Sequence, residues 1–412
     1  MSNRVADPPR PDRERLPRNV QLLGWVSFLN DVASEMVYPL MPQFLIGVLG
    51  GSRFQLGIIE GVADSVASLL KLWSGAQSDR VGRRKGFVVV GYVLATVTRP
   101  VIGLVTAPWQ MFVARVSDRV GKGLRTSPRD ALIADSSEPS LRGRAFGFHR
   151  AMDHLGAAVG PLLATAFLWL RPEDLRTLFL VTIVPGLLVV GLVVFGLKER
   201  TAKSYETNTE FQGMSAGSRE SRAPALDTRP ATLDANFRRY LLALVFFTLG
   251  NSSDAFLLVR AEELGVPVIA LPMLWFAFHM AKSGGNWFAG RLVDRIGTRN
   301  PIIIGWAMYV GVYLGFAFAT VAWQAWALFL SYAVFYALTE PAEKKLVTQL
   351  VEPDRQGLAF GWYNFAIGIS ALPSSLIFGG LYESFGPAVA FGWGAAIALI
   401  AIAVFATVHL RR

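Results

Sequence analysis

Apolar residues run through this chain in blocks of about twenty with little interruption. That is the length an α-helix needs to cross roughly 30 Å of hydrocarbon at ~1.5 Å per residue. Reading the blocks and the polar breakers between them predicts about twelve membrane-spanning helices, over residues 20–49, 54–77, 86–106, 109–134, 143–169, 176–197, 237–260, 268–293, 300–320, 323–350, 356–382 and 386–410. Residues 198–236 are polar, rich in Ser, Thr and Ala, and without an apolar period; they read as a cytoplasmic linker between a first bundle, 20–197, and a second, 237–410. Residues 1–19 are rich in Arg, Pro and Asp and lack the apolar core of a signal peptide, so they read as a cytoplasmic tail.

Charge placement orients the helices. Short loops that stay in the cytoplasm keep Lys and Arg. Alternate loops hold Arg80, Arg83, Arg84 and Lys85, then Arg142 and Arg144, then Arg295 and Arg299, then Arg355, and finally Arg411 and Arg412. The other side carries little beyond Arg53, Arg171 and Arg176. Both termini are therefore expected in the cytoplasm, with the chain multi-pass in the inner membrane.

The two halves also repeat each other. GAQSDRVGRRK (75–85) returns as GRLVDRIGTRN (290–300), each after the second span of its half. RGRAFGFHR (142–150) returns as RQGLAFGWYN (355–364), preceded by TSP (126–128) and TEP (339–341). Duplicated helical bundles flanking a central site are an architecture in which the halves rock about a pseudo-two-fold axis.

Composition sharpens this picture by exclusion. Hydrophobic residues make up 52% of the 412 and charged residues 17%, against roughly 25% charged in soluble domains. The net charge of +10 sits in short loops between apolar blocks, so it reads as topology and not as a nucleic-acid surface. The absence of cysteine removes disulfides, thiolate metal sites and thiol nucleophiles. No phosphate-binding Walker loop and no metal-ligand spacing of His and Glu occurs, and nothing points to an enzyme; no cofactor or metal is expected.

The repeated loop resembles a family signature, G-x-x-x-D-R-x-G-R-[RK]-[RK], the gate motif of the major facilitator superfamily. It stands here as Gly75, Asp79, Arg80, Gly82, Arg83, Arg84 and Lys85, with a second copy at Gly290, Asp294, Arg295, Gly297 and Arg299. Within that superfamily the chain is similar to the twelve-helix drug:proton antiporters. Pro39 and Pro42 match their first-span P-x-x-P, and Gly156, Gly160 and Pro161 match part of their fifth-span G-x-x-x-G-P-x-x-G-G. Their fourth-span R-x-x-Q-G-x-G is met by Arg115, Gly121 and Gly123, with Asp118 and Arg119 where the family has Gln and Gly. The resemblance implies an all-α membrane protein with two pseudo-symmetric six-helix bundles, driven by the proton gradient. It also implies that Asp79 clamps the cytoplasmic gate and that Arg115 takes part in proton coupling.

Ionisable side chains inside spans cost roughly 2.5–3.5 kcal/mol on insertion scales, so each is a candidate for function. Asp31 and Glu35, and Glu60 and Asp64, are four apart and share a helix face. With Arg115, Asp118 and Arg119 they are the candidate proton-coupling residues; the competing reading is mutual neutralisation that locks helices together. Lys122, Arg125 and Arg129, lower in the fourth span, are expected to snorkel to lipid phosphate or to pair with the loop. Arg150, Asp153 and His154, with Asn251, Asp254, His279, Tyr332, Tyr336 and Asn364 of the second half, are the candidate substrate-cavity residues. His279 falls opposite Asp64 at the repeat offset that pairs Gly75 with Gly290.

The resulting expectation is a monomeric secondary transporter in the lipid bilayer, moving a small-molecule substrate out of the cell in exchange for protons, of the multidrug kind. Two alternatives stay open: a proton symporter or uniporter for an organic anion or sugar-like metabolite, and a non-transporting receptor or scaffold with the same fold.

Overall fold

The computed structural model describes residues 16–137, 142–198, 234–351 and 356–409, without the side chains of residues 79, 142–144, 147, 286–292, 294, 295 and 356–358. Most of the expected tail and linker, and the side chains of Asp79, Asp294 and Arg295 as well as Gly290 of the gate motifs, thus lie outside the described residues. The rest is helical, with no strand among the described residues.

Among the described residues twelve helical segments follow one another: α1 (Arg18–Glu35, continued by short turns through Val48), α2 (Arg53–Val81), α3 (Lys85–Ile102), α4 (Pro108–Ser136), α5 (Arg142–Leu170) and α6 (Leu175–Val181, Ile183–Gly191 and Leu192–Gly196) in the first half. The second half has α7 (Ala235–Gly250 and Ala255–Glu263), α8 (Val268–Ala270 and Leu271–Ile296), α9 (Arg299–Phe318), α10 (Ala322–Leu350), α11 (Gln356–Phe385) and α12 (Pro387–Ala406). Seven of them, α3, α5, α6, α7, α9, α11 and α12, contain stretches long and apolar enough to cross a membrane by composition alone. The other five, α1, α2, α4, α8 and α10, fall short of that measure.

Local chemistry sets the breaks. Ser52 and Gln55 form a reciprocal capping box at the start of α2. Gly82 ends that helix in the left-handed region, φ +63°, which a side chain rarely adopts, so this gate-motif glycine has a backbone reason. Pro39 and Pro42 withhold two backbone donors and fall where α1 gives way to 3-10, α and π turns. The equivalent first helix of the second half is interrupted too, between Gly250 and Ala255.

The repeat is visible in the contacts. Gln110 caps the backbone at Thr106 and Ala107 before α4, and Gln324 does the same at Thr320 and Val321 before α10. One position out of register with the repeat, Arg84 pairs with Asp135 and Thr298, the counterpart of Arg83, hydrogen-bonds Gln349 at 2.9 Å. Lys85 reaches the Leu197 carbonyl at the end of α6, and Arg299, the counterpart of Arg84, the Ala406 carbonyl at the end of α12. These ties mark one end of the molecule, the terminal face. The opposite face carries the loops tied by Arg176 to the Gly103 and Val105 carbonyls and by Arg260 to those of Phe316 and Ala319.

Within the first bundle α1 packs on α5, and α4 on α2 and α3; within the second α8 packs on α10, and α9 on α10 and α12. The bundles meet chiefly through α2 with α11 and α5 with α8, two contacts that the repeat exchanges. The second bundle's interior is a stack of aromatics around Trp306, Tyr309, Tyr313 and Tyr332. Its periphery, like that of the first, is apolar and open: Phe195 is 87% exposed, Trp169 and Phe318 each 76%. A ring of that kind suits hydrocarbon and not water.

Candidate functional site

α4 organises the site. Its basic and acidic positions recur every three or four residues, so Arg115, Asp118, Arg119, Lys122, Arg125 and Arg129 share one face turned to the interior. Arg115 forms a two-pronged bond with Glu60 of α2 at 2.9 and 2.8 Å, and lies over the Tyr38 ring at 5.2 Å. Asp118 is held by Arg99 of α3 at 3.0 Å and by Arg115 at 3.8 Å. Arg119 stands 3.8 Å from Asp64. One turn on, Arg125 donates to the Gly91 carbonyl and to Asn30 and sits over Tyr92 at 4.8 Å, and Arg129 pairs with Asp130.

α1 brings Asp31 and Glu35 to the same space. A Cβ at Gly156 would sit against the Phe28 carbonyl and 3.0 Å from the Asp31 Cβ, so the motif glycine lets α5 press directly on the helix that carries Asp31. Asn30 donates to Asp31 at 2.9 Å. Glu35 accepts from the indole N–H of Trp275 in α8 at 2.8 Å, a hydrogen bond that crosses from one bundle to the other. Asp153 of α5 accepts from Ser27 and neighbours His149 and Arg150 at 3.6 and 3.5 Å.

Between the bundles these groups enclose a cavity of about 460 Å³. It runs from Tyr38 and Met41, on the side of the opposite face, to Lys71, Arg129 and Arg150, towards the terminal face. Of the sequence candidates it gathers Asp31, Glu35, Arg115, Asp118 and Arg119, then Arg150, Asp153, Asp254 and His279. Glu60 and Asp64 stand behind as partners of lining arginines. Tyr332 and Tyr336 do likewise for Asp254, at 2.8 and 3.5 Å, and Asn251 accepts from Tyr332 at 3.4 Å. His154 is exposed on α5, and Asn364 donates to the Phe360 carbonyl of its own helix; neither is among the described lining residues.

One expectation is corrected. Lys122, Arg125 and Arg129 do not reach for lipid phosphate: all three line the cavity, and Arg125 and Arg129 are buried. The helical stripe that points Arg115 inward carries them with it, and Arg125 and Arg129 find carbonyl, ring and carboxylate partners inside.

The opposite end is sealed by a cluster that sequence reasoning missed. Arg53 at the start of α2 binds Glu263 at the end of α7 at 2.7 Å and lies 5.5 Å over Tyr382 of α11; its backbone N–H donates to Glu383 at 2.9 Å. Tyr382 in turn donates to Glu263 at 2.7 Å. Nearer the terminal face, Ser65 of α2 donates to the Gly368 carbonyl of α11 at 2.8 Å. Arg99 was missed as well, although a charge within an apolar block is a signal that depth counting detects.

The repeat supplies a control for these charges. Where α4 has Arg115, Asp118 and Arg119, α10 has Phe329, Tyr332 and Ala333, all fully buried in an aromatic core. The second bundle thus packs with uncharged residues at those positions.

The family model of the Major Facilitator Superfamily matches residues 23–371. The chain belongs to that superfamily. Over 395 residues, 94% of each chain, this major facilitator protein is 32% identical to an uncharacterized MFS-type transporter, MJ1317, of Methanocaldococcus jannaschii. It is 30% identical to the multidrug resistance protein MdtH of Photorhabdus laumondii over 141 residues, 34% of each chain. Its fold matches the nucleoside transporter NupG with a TM-score of 0.75, at 12% identity, over 94% of this chain and 99% of that one. The major facilitator chain is thus a membrane transporter of the all-helical major facilitator fold, acting on a small molecule, and not an enzyme.

Proposed function

We propose that this protein is a proton-coupled secondary transporter of the inner membrane that exports a small organic solute by alternating access, as a monomer with bundles 20–197 and 237–410, both termini in the cytoplasm, and no cofactor beyond the proton gradient. The observation that carries the reading is a charged cavity between the bundles, locked at the Arg53–Glu263 end, with Asp31 and Glu35 on its wall and no cation among the described residues bonded to either. Carboxylates facing a cavity between two bundles are candidate proton carriers. Glu35 adds the coupling: Trp275 donates to it across the bundle interface, and a charge-assisted hydrogen bond weakens when its acceptor is protonated. Protonation then loosens one bundle from the other. The terminal face is the cytoplasmic one on the positive-inside reading, so the cavity is turned towards the cell interior. Export is supported by the likeness to MdtH over the matched third of the chain.

The polar wall, with its eight basic side chains, also favours a second reading, a symporter for an organic anion that travels together with a proton. Proteoliposomes containing a trapped pH dye test both. Ethidium or succinate added under an imposed pH gradient should move protons only in vesicles that contain the protein. Proton flow opposite to the solute supports export by exchange, flow with it supports symport, and no coupled flow with either solute removes proton coupling.

A further inference from the structure

The cavity wall carries eight basic and five acidic side chains. Five of the basic groups, Arg99, Arg115, Arg119, Arg129 and Arg150, have a carboxylate within 4.0 Å. Arg125 is satisfied by a carbonyl, an amide and a ring face. Lys71 of α2 and Lys122 of α4 differ: both line the cavity, and neither makes an ion pair or side-chain hydrogen bond with any described residue. Lys122 is exposed, and the space it is exposed to is the cavity. Lys71 is fixed close by, since its carbonyl accepts from Ser127 of α4 at 2.8 Å. The charged groups that act on Lys122 are Arg119, Lys71, Asp64 and Asp31, with no ion pair to either acid.

Two lysine side chains within membrane depth, with their donors turned into a void, are costly to keep. The fold does not require them: the repeat-equivalent positions in the second bundle are Asn286 and Tyr336. Asp31, Glu35 and Asp254 of the wall take hydrogen bonds from neutral Asn, Trp and Tyr groups and pair with neither lysine. The donors of Lys71 and Lys122 are thus left open to an acceptor that enters the cavity.

We propose that Lys71 and Lys122, flanked by Arg119, form the binding site for a carboxylate or phosphate group of the solute. A lysine ammonium is a point charge with rotatable donors and accepts either group. A space of about 460 Å³ admits a small metabolite and no macromolecule. The role as a substrate site rests on the transport reading given above; anion binding itself does not.

Calorimetry on the purified full-length protein in detergent, with succinate, glycerol 3-phosphate and tetraphenylphosphonium as probes, tests the site. At least one of the two anions should bind, at least tenfold more weakly to Lys71→Gln and to Lys122→Gln, while Lys122→Arg keeps most of the affinity and Arg239→Gln, exposed and outside the cavity, keeps all of it. Gel-filtration profiles equal to wild type separate this from misfolding. Absence of binding by both anions, or binding indifferent to the two Gln substitutions, overturns the site, as does tight tetraphenylphosphonium binding that neither anion displaces. A lipid phosphate has the same chemistry. Nanodiscs of phosphatidylcholine with and without phosphatidylglycerol should give the same anion affinity; competition by phosphatidylglycerol that both lysine variants abolish assigns the site to a lipid and overturns a solute role. Anion binding with no solute flux in proteoliposomes supports the site and removes the transport reading, whereas tetraphenylphosphonium flux without anion binding does the reverse.

Discussion

Arg115 holds Glu60 through both carboxylate oxygens, at 2.9 and 2.8 Å, across the contact between α2 and α4, and neither side chain is more than 6% exposed. A pair so placed is costly to break on one side, because the survivor remains as a lone buried charge. Arg115→Ala should therefore lower stability by about 3–5 kcal/mol. The double variant Glu60→Gln, Arg115→Gln should recover more than half of that loss. Thermal unfolding of the three proteins in one detergent checks this; an unchanged midpoint for Arg115→Ala would assign the pair to function alone.

Asp31 differs from Glu60 in having Asn30 and no cation as its bonded partner. Asp31→Asn keeps an acceptor for that amide and should fold normally. Proton-coupled flux should fall at least tenfold, while solute exchange without a pH gradient persists. Coupled flux at the wild-type rate would remove Asp31 from the proton path.

The lock at the opposite face should govern which way the cavity opens. Arg53→Ala deletes the ion pair to Glu263 and the ring contact to Tyr382 while leaving the backbone bond to Glu383. Because the chain has no native cysteine, Ser375→Cys, buried on α11 at that end, provides a clean reporter. Its labelling by an impermeant maleimide should rise severalfold when Arg53→Ala is added. Equal labelling in both backgrounds would show that helix packing alone keeps this end shut.

Glu343 of α10 is buried and accepts from the Trp306 indole at 3.2 Å and the Tyr363 hydroxyl at 2.9 Å, with no cation bonded to it among the described residues. Its repeat partner, Asp130, is paired with Arg129, for which the second half has Ala342. Glu343→Gln retains an acceptor and should be close to wild type in stability. Glu343→Ala strands two buried donors, each costing about 1–3 kcal/mol, and should melt several degrees lower. The order of the two midpoints is the readout.

These sites differ in how far the primary structure announces them. The spans and the two-fold repeat are legible because each apolar block must satisfy its own backbone hydrogen bonds in lipid, which forces helices and leaves little freedom of interpretation. The α4 stripe is legible for the same reason: charges three and four apart inside a span share a face. Which groups pair is not, since Arg99 finds Asp118 on the next helix and Arg53 finds Glu263 in the other bundle, 210 residues away. Nor does local pattern separate a lysine that snorkels from one that faces a cavity. For Lys122 only the packing of α2 against α4 decides it.

The charge on α4 also bears on how the chain is made. Arg115, Asp118, Arg119, Lys122, Arg125, Arg129 and Asp130 all fall within one segment, which for that reason is not among the seven that qualify as spans by composition. At about 2.5–3.5 kcal/mol for each central charge, such a segment does not partition into lipid by itself during synthesis. Its partners, Glu60 on α2 and Arg99 on α3, precede it in the chain and are synthesised before it. The cost of placing α4 in lipid is therefore met by its packing against two helices already made when it emerges.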